Sequence, residues 1–89
     1  MRLMTDKEIM MMVTSNARRH IEDFVGKKLN KDIRAQITDR VNKICEDMFM
    51  DKIVSEKMEW DIQWLGNDVV INPMNDAARS LISRATAKD

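Results

Sequence analysis

Apolar residues recur with a helical period over two stretches in the first half of the chain. Between residues 6 and 25 they fall three or four positions apart, at Ile9, Val13, Ala17, Ile21 and Phe24. Between residues 31 and 50 the same spacing holds for Ile33, Ile37, Val41, Ile44 and Met48. Side chains at this spacing lie on one face of a helix. The pattern therefore predicts two helices, each with one buried face.

Local signals mark where these helices begin and end. Thr5 and Glu8 have the spacing of a capping box, so the first helix should start directly after the threonine. Gly26 is the residue type that ends a helix in the left-handed conformation, and the first helix should stop just before it. Asn30 is a favourable N-cap for the second helix, which should fade between residues 50 and 54. The short connection predicts an antiparallel or steeply crossed helix pair.

The period changes to two in the second half of the chain. Apolar side chains alternate with polar ones from residue 57 to residue 64, at Met58, Trp60, Ile62 and Trp64. This alternation predicts a strand with one buried face. Turn-forming residues follow at 66–68, and a β-branched return strand is ended by Pro73. A third helix should follow, with Asn75 or Asp76 as its N-cap. We therefore expect one α+β domain over residues 1–89, a two-helix hairpin followed by a β-hairpin and a C-terminal helix, in the order α-α-β-β-α.

The open edges of this hairpin indicate a contact site. A two-stranded ribbon is marginal in water, and each strand keeps one row of unpaired amides and carbonyls that can pair with another strand. The return strand carries no charge at Val69, Val70 and Ile71. We therefore expect these three residues to contact another protein by strand addition. The alternatives are that Met1 to Met4 supply a third strand, or that the edge is left exposed.

Adjacent methionines on the first helix indicate a second contact surface. Met10, Met11 and Met12, together with Ile9 and Val13, cover nearly the whole circumference of the helix, and one buried face cannot accommodate all of them. Flexible apolar side chains suit an adaptable contact surface, so we expect the three methionines to contact a protein partner. Filling of an irregular core is the competing explanation.

Length and composition narrow the class of protein. A chain of 89 residues is near the size at which folding buries only about 60% of the unfolded surface, so a deep active-site cleft is not expected. No apolar run reaches the ~20 residues of a membrane span, and charges interrupt the N-terminus before a signal-peptide core could form. Cys45 is the only cysteine, which suits a reducing compartment. We expect a soluble protein of the cytoplasm of the producing cell.

Charge is unevenly distributed although the net charge is zero. Residues 16–43 carry eight basic and four acidic side chains, whereas residues 44–68 carry two basic and seven acidic ones. Such opposed charges favour an oppositely charged partner surface, including a second copy of the chain. The basic side chains near the turn between the first two helices also suggest an alternative, nucleic-acid binding. The residues for that alternative are Arg18, Arg19, Lys27, Lys28 and Lys31, with His20 and Arg34 nearby.

Signals for catalysis are weak in this sequence. Cys45 and His20 are the only residues that could form a Cys-His nucleophile pair, and the cysteine falls beside the apolar face of the second helix, where we expect a buried hydrophobe. No cluster has the ligand spacing of a metal site, and the two glycines form no phosphate-binding loop. We therefore expect a protein that is not an enzyme and that has no metal, cofactor or small-molecule substrate.

The chain resembles the C-terminal domain of contractile phage tail sheath proteins in the order of its elements. These are a helix ending in IEDFVGKKLN, a helix IRAQITDRVNKICEDMFMDKIV, strands EWDIQW and GNDVVINP, and a following DAARSLI. The resemblance covers residues 18–82. In that family neighbouring subunits exchange terminal arms to complete a shared sheet. The resemblance implies a small virion assembly protein and assigns a role to no single residue.

These observations lead to one functional hypothesis and two alternatives. We expect a non-enzymatic interaction or assembly protein, encoded by a phage and present in its tail, that oligomerises or docks through the strand edge. A small phage-encoded inhibitor of a host enzyme would have the same sequence features. Nucleic-acid binding through the basic turn is the alternative from a different class.

Overall fold

The structure is a computed structural model that describes residues 4–52 and 56–86. Its elements follow the order α-α-β-β-α, so the predicted α+β fold is confirmed. The helices are α1 (Asp6–Ile21), α2 (Lys31–Met48) and α3 (Asp76–Thr86), and the strands are β1 (Trp60–Leu65) and β2 (Asp68–Pro73). Two single 3-10 turns follow the first two helices, at Glu22–Phe24 and Met50–Lys52.

The start of α1 is fixed by the predicted capping box. The Glu8 amide donates to Thr5 Oγ1 at 3.2 Å, and the Thr5 amide donates back to Glu8 Oε1 at 3.1 Å. The helix ends at Ile21 rather than near residue 25, because the chain tightens into the 3-10 turn while Phe24 stays buried. Gly26, at a φ of 81°, then makes the left-handed reversal that only glycine adopts without strain.

Two asparagines begin the other helices. Asn30 Oδ1 accepts from the Ile33 amide at 2.9 Å, and Asn75 Oδ1 accepts from the Ala78 amide at 3.0 Å. Of the two residues proposed to cap α3, Asn75 is therefore the cap. The same side chain accepts from the Glu59 amide at 3.1 Å and donates to the Lys57 carbonyl at 2.9 Å. It thus ties the start of α3 to the chain entering β1.

The hairpin is closed by a two-residue turn of Gly66 and Asn67. Gly66 has a φ of 66° and Asn67 a negative φ, which is the combination of a type II′ turn. The antiparallel register pairs Leu65 with Asp68 and runs to Trp60 opposite Pro73. The first strand is shorter than its alternating pattern, which starts at residue 57, although Met58 is buried.

One face of the hairpin packs on all three helices. The strands bury Trp60, Ile62, Val69 and Ile71 against side chains from α1, α2 and α3, while Trp64 is half-buried. The third helix packs on its own chain, burying Ala77, Ala78, Leu81 and Ile82. The N-terminal residues proposed as a third strand lie outside the described residues, except for Met4, which is half-buried and not in a strand.

Candidate protein-contact site

The register determines which backbone groups of the hairpin face outward. The Met74 amide donates to the Glu59 carbonyl at 2.9 Å, so this pair is hydrogen-bonded. Bonded and non-bonded pairs alternate along an antiparallel ladder. Counting from that pair, Val70 and Asn72 exchange hydrogen bonds with β1. The amides and carbonyls of Val69 and Ile71 consequently point away from β1, toward the free edge of β2.

Two side chains of α2 contact β1 and the residues that lead into it. Arg34 Nη1 donates to the Ile62 carbonyl at 3.2 Å, and Asn42 Nδ2 donates to the Met58 carbonyl at 3.0 Å. Asn42 Oδ1 also accepts from the indole Nε1 of Trp60 at 2.7 Å. Sequence reasoning did not single out Asn42, and it named Arg34 only as part of the basic turn, where its Nε also donates to the Leu29 carbonyl at 3.2 Å. The spacing of Arg34 and Asn42 along α2 does not by itself predict a contact with β1.

The outer edge of β2 faces a groove of about 670 Å³ whose other wall is α1. Arg18, near the end of α1, pairs with Asp68 at the start of β2 at 2.8 Å, so the helix and the strand run in opposite directions along the groove. Within the described residues, no side chain donates to or accepts from the backbone of Val69 or Ile71. Within the described residues the two edges therefore differ: Arg34 bonds the outward carbonyl of Ile62 on β1, whereas no side chain bonds the outward groups of Val69 and Ile71 on β2.

The three strand residues that were predicted to contact a partner lie in two different environments. The side chains of Val69 and Ile71 are buried in the core at 6% and 2% exposure, so these residues offer backbone groups rather than side chains to a partner. The expected contact by strand addition uses backbone groups, so it is compatible with burial of both side chains on the face that packs on the helices, and it stays a prediction. Val70 is half-buried on the opposite face, opposite Gln63.

The three methionines of α1 lie on different sides of the helix. Met10 packs against the core and lines the groove, and Met11, which is 62% exposed, lines the groove further out. Met12 is on the other flank, where Asn16 donates both to its carbonyl and to Met48 Sδ on α2. Two of the three therefore join the strand residues at one site, together with Thr14, which the sequence did not single out.

The basic residues of the nucleic-acid alternative are not gathered on one groove. Arg18 is engaged by Asp68, and Lys27 lies over the Phe24 ring at 5.7 Å from its centroid. Arg19, Lys28 and Lys31 are exposed. A second depression, of about 450 Å³, lies between the end of α1 and α2 and mixes both signs of charge: His20, Asp39, Arg40, Lys43 and Asp47, with Ile44. Its acidic side chains oppose binding of a phosphate backbone.

Cys45 lies on α2 and is fully buried in the hydrophobic core of the domain. Burial, reinforced by the negative charge of Glu46, raises the pKa of the Cys45 thiol to about 12. The thiol is therefore protonated at neutral pH, whereas the nucleophilic form of cysteine is the thiolate. This environment is that of a core residue, as expected from the sequence.

We predict that Cys45 reacts with an aromatic disulfide reagent only when the protein unfolds. Labelling at pH 8 should follow the global unfolding rate and accelerate with denaturant. Because the unfolded thiol ionises from about pH 9 and the folded one does not, the free energy of unfolding should fall as pH rises above 9. Native-state labelling at the rate of a free thiol would contradict this assignment.

The described residues contain neither a membrane-spanning helix nor a cluster of metal ligands. None of the helices is both long and apolar enough to cross a membrane. In residues 4–52 and 56–86, no three His, Cys, Asp or Glu side chains come close enough to hold a metal ion. Comparison of the chain with protein-family models, curated proteins and solved structures finds no significant match.

Proposed function

We propose that this chain is a non-enzymatic protein-interaction domain whose contact site is the groove between α1 and β2. The observation that carries the proposal is the open edge of β2: outward amides and carbonyls of Val69 and Ile71 beside the helix wall that carries Met10 and Met11. Native proteins usually guard such edges, because an unpaired row of backbone groups invites pairing with another chain. Here Arg34 bonds an outward carbonyl of the opposite edge, at Ile62, and Asn42 bonds the Met58 carbonyl just before that strand.

The composition of the groove supports the same proposal. Met11 keeps 62% of its surface exposed beside Met10 and the strand, and this exposed apolar area is removed from water when a partner docks. Each backbone hydrogen bond gained at the edge adds about 1 kcal/mol. Together these contributions favour a partner that covers both the helix wall and the strand edge.

An assembly role within a phage virion is the specific form of this proposal that the resemblance to tail sheath domains suggests. An inhibitor of a host enzyme would use the same groove, and the identity of the captured protein distinguishes the two.

For the nucleic-acid alternative, salt-dependent retention of DNA should be lost on K27E combined with K28E. Retention that is unchanged by these substitutions would eliminate that alternative.

Substitution of adjacent methionines tests the proposed groove. The immobilised chain is used to capture a protein from cells that naturally produce this chain. The captured protein is identified, and its affinity for the chain is measured by calorimetry. Met11→Lys should weaken binding at least about tenfold, because a charged end must be removed from water at the contact. Met12→Lys, one residue along the same helix but outside the groove, is the matched control and should change the affinity less than about twofold. An equal loss in both variants would refute the site.

A further inference from the structure

The spacing of the free backbone groups at β2 selects the conformation of the partner. Val69 and Ile71 each present an outward amide and an outward carbonyl, and two residues along a strand are about 6.8 Å apart. Only an extended chain offers amides and carbonyls with this repeat, because a helix uses its own backbone groups internally. The partner backbone at this edge is therefore extended.

The position of α1 disfavours a second copy of this chain as the partner. In each copy, α1 forms the other wall of the groove beside β2. A second copy could reach this edge only together with its own α1 and the Met10 and Met11 side chains beside its β2, whereas a lone extended segment brings only one strand. A strand without a helix along its own edge fits the groove.

The charged residues that line the groove and the length of the groove further define the partner segment. Among the described residues that line the groove, the charged ones lie toward its ends, where Arg18 and Asp68 neutralise each other and Asp6 and Lys7 are neighbours in sequence. The middle is lined by Met10, Thr14 and the uncharged strand. From residue 68 to residue 73, β2 spans about 17 Å, and α1 rises about 18 Å from residue 6 to residue 18. An uncharged segment of about five residues matches this length.

We propose that the groove binds one extended, uncharged segment of a different protein, which joins β2 as a third strand. Every second side chain of the segment is apolar and faces Met10 and Met11 on α1. This inference rests on the proposed function and specifies the partner: a linear peptide segment, recognised by its backbone at Val69 and Ile71 and by alternate side chains at the helix wall.

The test uses random linear seven-residue peptides selected on the immobilised full chain. Enriched peptides should carry apolar residues at alternate positions and should bind Met12→Lys like the unsubstituted chain, but Met11→Lys at least about tenfold more weakly. N-methylation of the peptide at the residues whose amides face β2 should reduce affinity at least about tenfold. N-methylation at the intervening residues is the matched control and should have little effect.

Hydrogen exchange on the selected complex gives the decisive readout. Bound peptide should slow exchange of the Val69 and Ile71 amides at least about tenfold more than exchange of Val70 and Asn72, which already pair with β1. Peptides with helical spacing, or complexes that leave Val69 and Ile71 unprotected, would overturn the extended segment while the groove remains a contact site. Protection that rises with the concentration of the chain alone would identify a second copy instead. Failure to enrich any peptide would also overturn the inference, whereas the proposed function is judged separately by the protein captured on the chain.

Discussion

In the free protein, the amides of Val69 and Ile71 should exchange with solvent at least about a hundredfold faster than those of Val70 and Asn72. All four residues lie in β2, but only the latter two donate to β1 in the observed register. Amides without an intramolecular partner at an open edge exchange without an opening event, whereas ladder amides exchange only when the hairpin opens. The measurement is native-state exchange followed by NMR, with each rate divided by its unstructured-peptide value.

The alternation itself is the internal control of this experiment. The four residues are consecutive, so general fraying of the hairpin would accelerate all of them and leave no alternation. The reverse pattern, with Val70 fast and Val69 slow, would mean a register shifted by one residue. Such a shift would also turn Val69 and Ile71 out of the core, contrary to their burial. Four slow amides would show that the edge is closed and would remove the basis of the proposed function.

Replacing Asn42 by alanine should destabilise the domain by about 2–4 kcal/mol. The substitution removes two hydrogen bonds, to the Met58 carbonyl and from the Trp60 indole. Trp60 is 3% exposed, so its N–H would be left buried without a partner, which adds about 1–3 kcal/mol to the loss of the bonds. In a domain of this size the melting temperature should fall by roughly 10–25 °C. Thermal unfolding followed by circular dichroism measures the effect, and tryptophan fluorescence monitors the site itself.

Asn16→Ala is the matched control for this substitution. Asn16 also lies on a helix, but it is exposed, and its bonds go to Met12 one turn earlier and to Met48 Sδ. Its removal should change the free energy of unfolding by less than about 0.5 kcal/mol. Asn42→Asp keeps the acceptor for Trp60 and loses the donor, so its stability should fall between those of the alanine variant and the original protein. Equal effects of Asn42→Ala and Asn16→Ala would show that Asn42 does not hold the edge of β1.

The fold could be predicted from the sequence because its signals are local. The Thr5 capping box, the Asn30 cap and the Gly66 turn each depend on residues within a few positions of one another, and all three form. Alternation at period two likewise identifies the buried face of β1, since neighbouring side chains on a strand point to opposite faces. Only the boundaries of the elements differ from the prediction. For example, α1 ends at Ile21 because the chain tightens there into a 3-10 turn.

The site could be predicted only in part, because it depends on which helix lies along which edge. Periodicity identifies the buried face of an element but not its neighbour beyond that face. Val70 and Met11 were therefore proposed separately, and their presence along one groove follows from the packing of α1 on β2. The hydrogen bond from Arg34 to the Ile62 carbonyl could not be predicted, since the two residues are distant in sequence and no local pattern joins them.

Because Arg34 of α2 bonds an outward carbonyl of β1, the two edges of this sheet are unequal acceptors for a further strand. A molecule with two open edges can be extended from both sides, which is the arrangement that leads to open-ended fibres. In the described residues, the unbonded outward groups of Val69 and Ile71 make β2 the favoured edge. We therefore expect the chain to take up one strand at β2 rather than to act as the repeating link of a polymer.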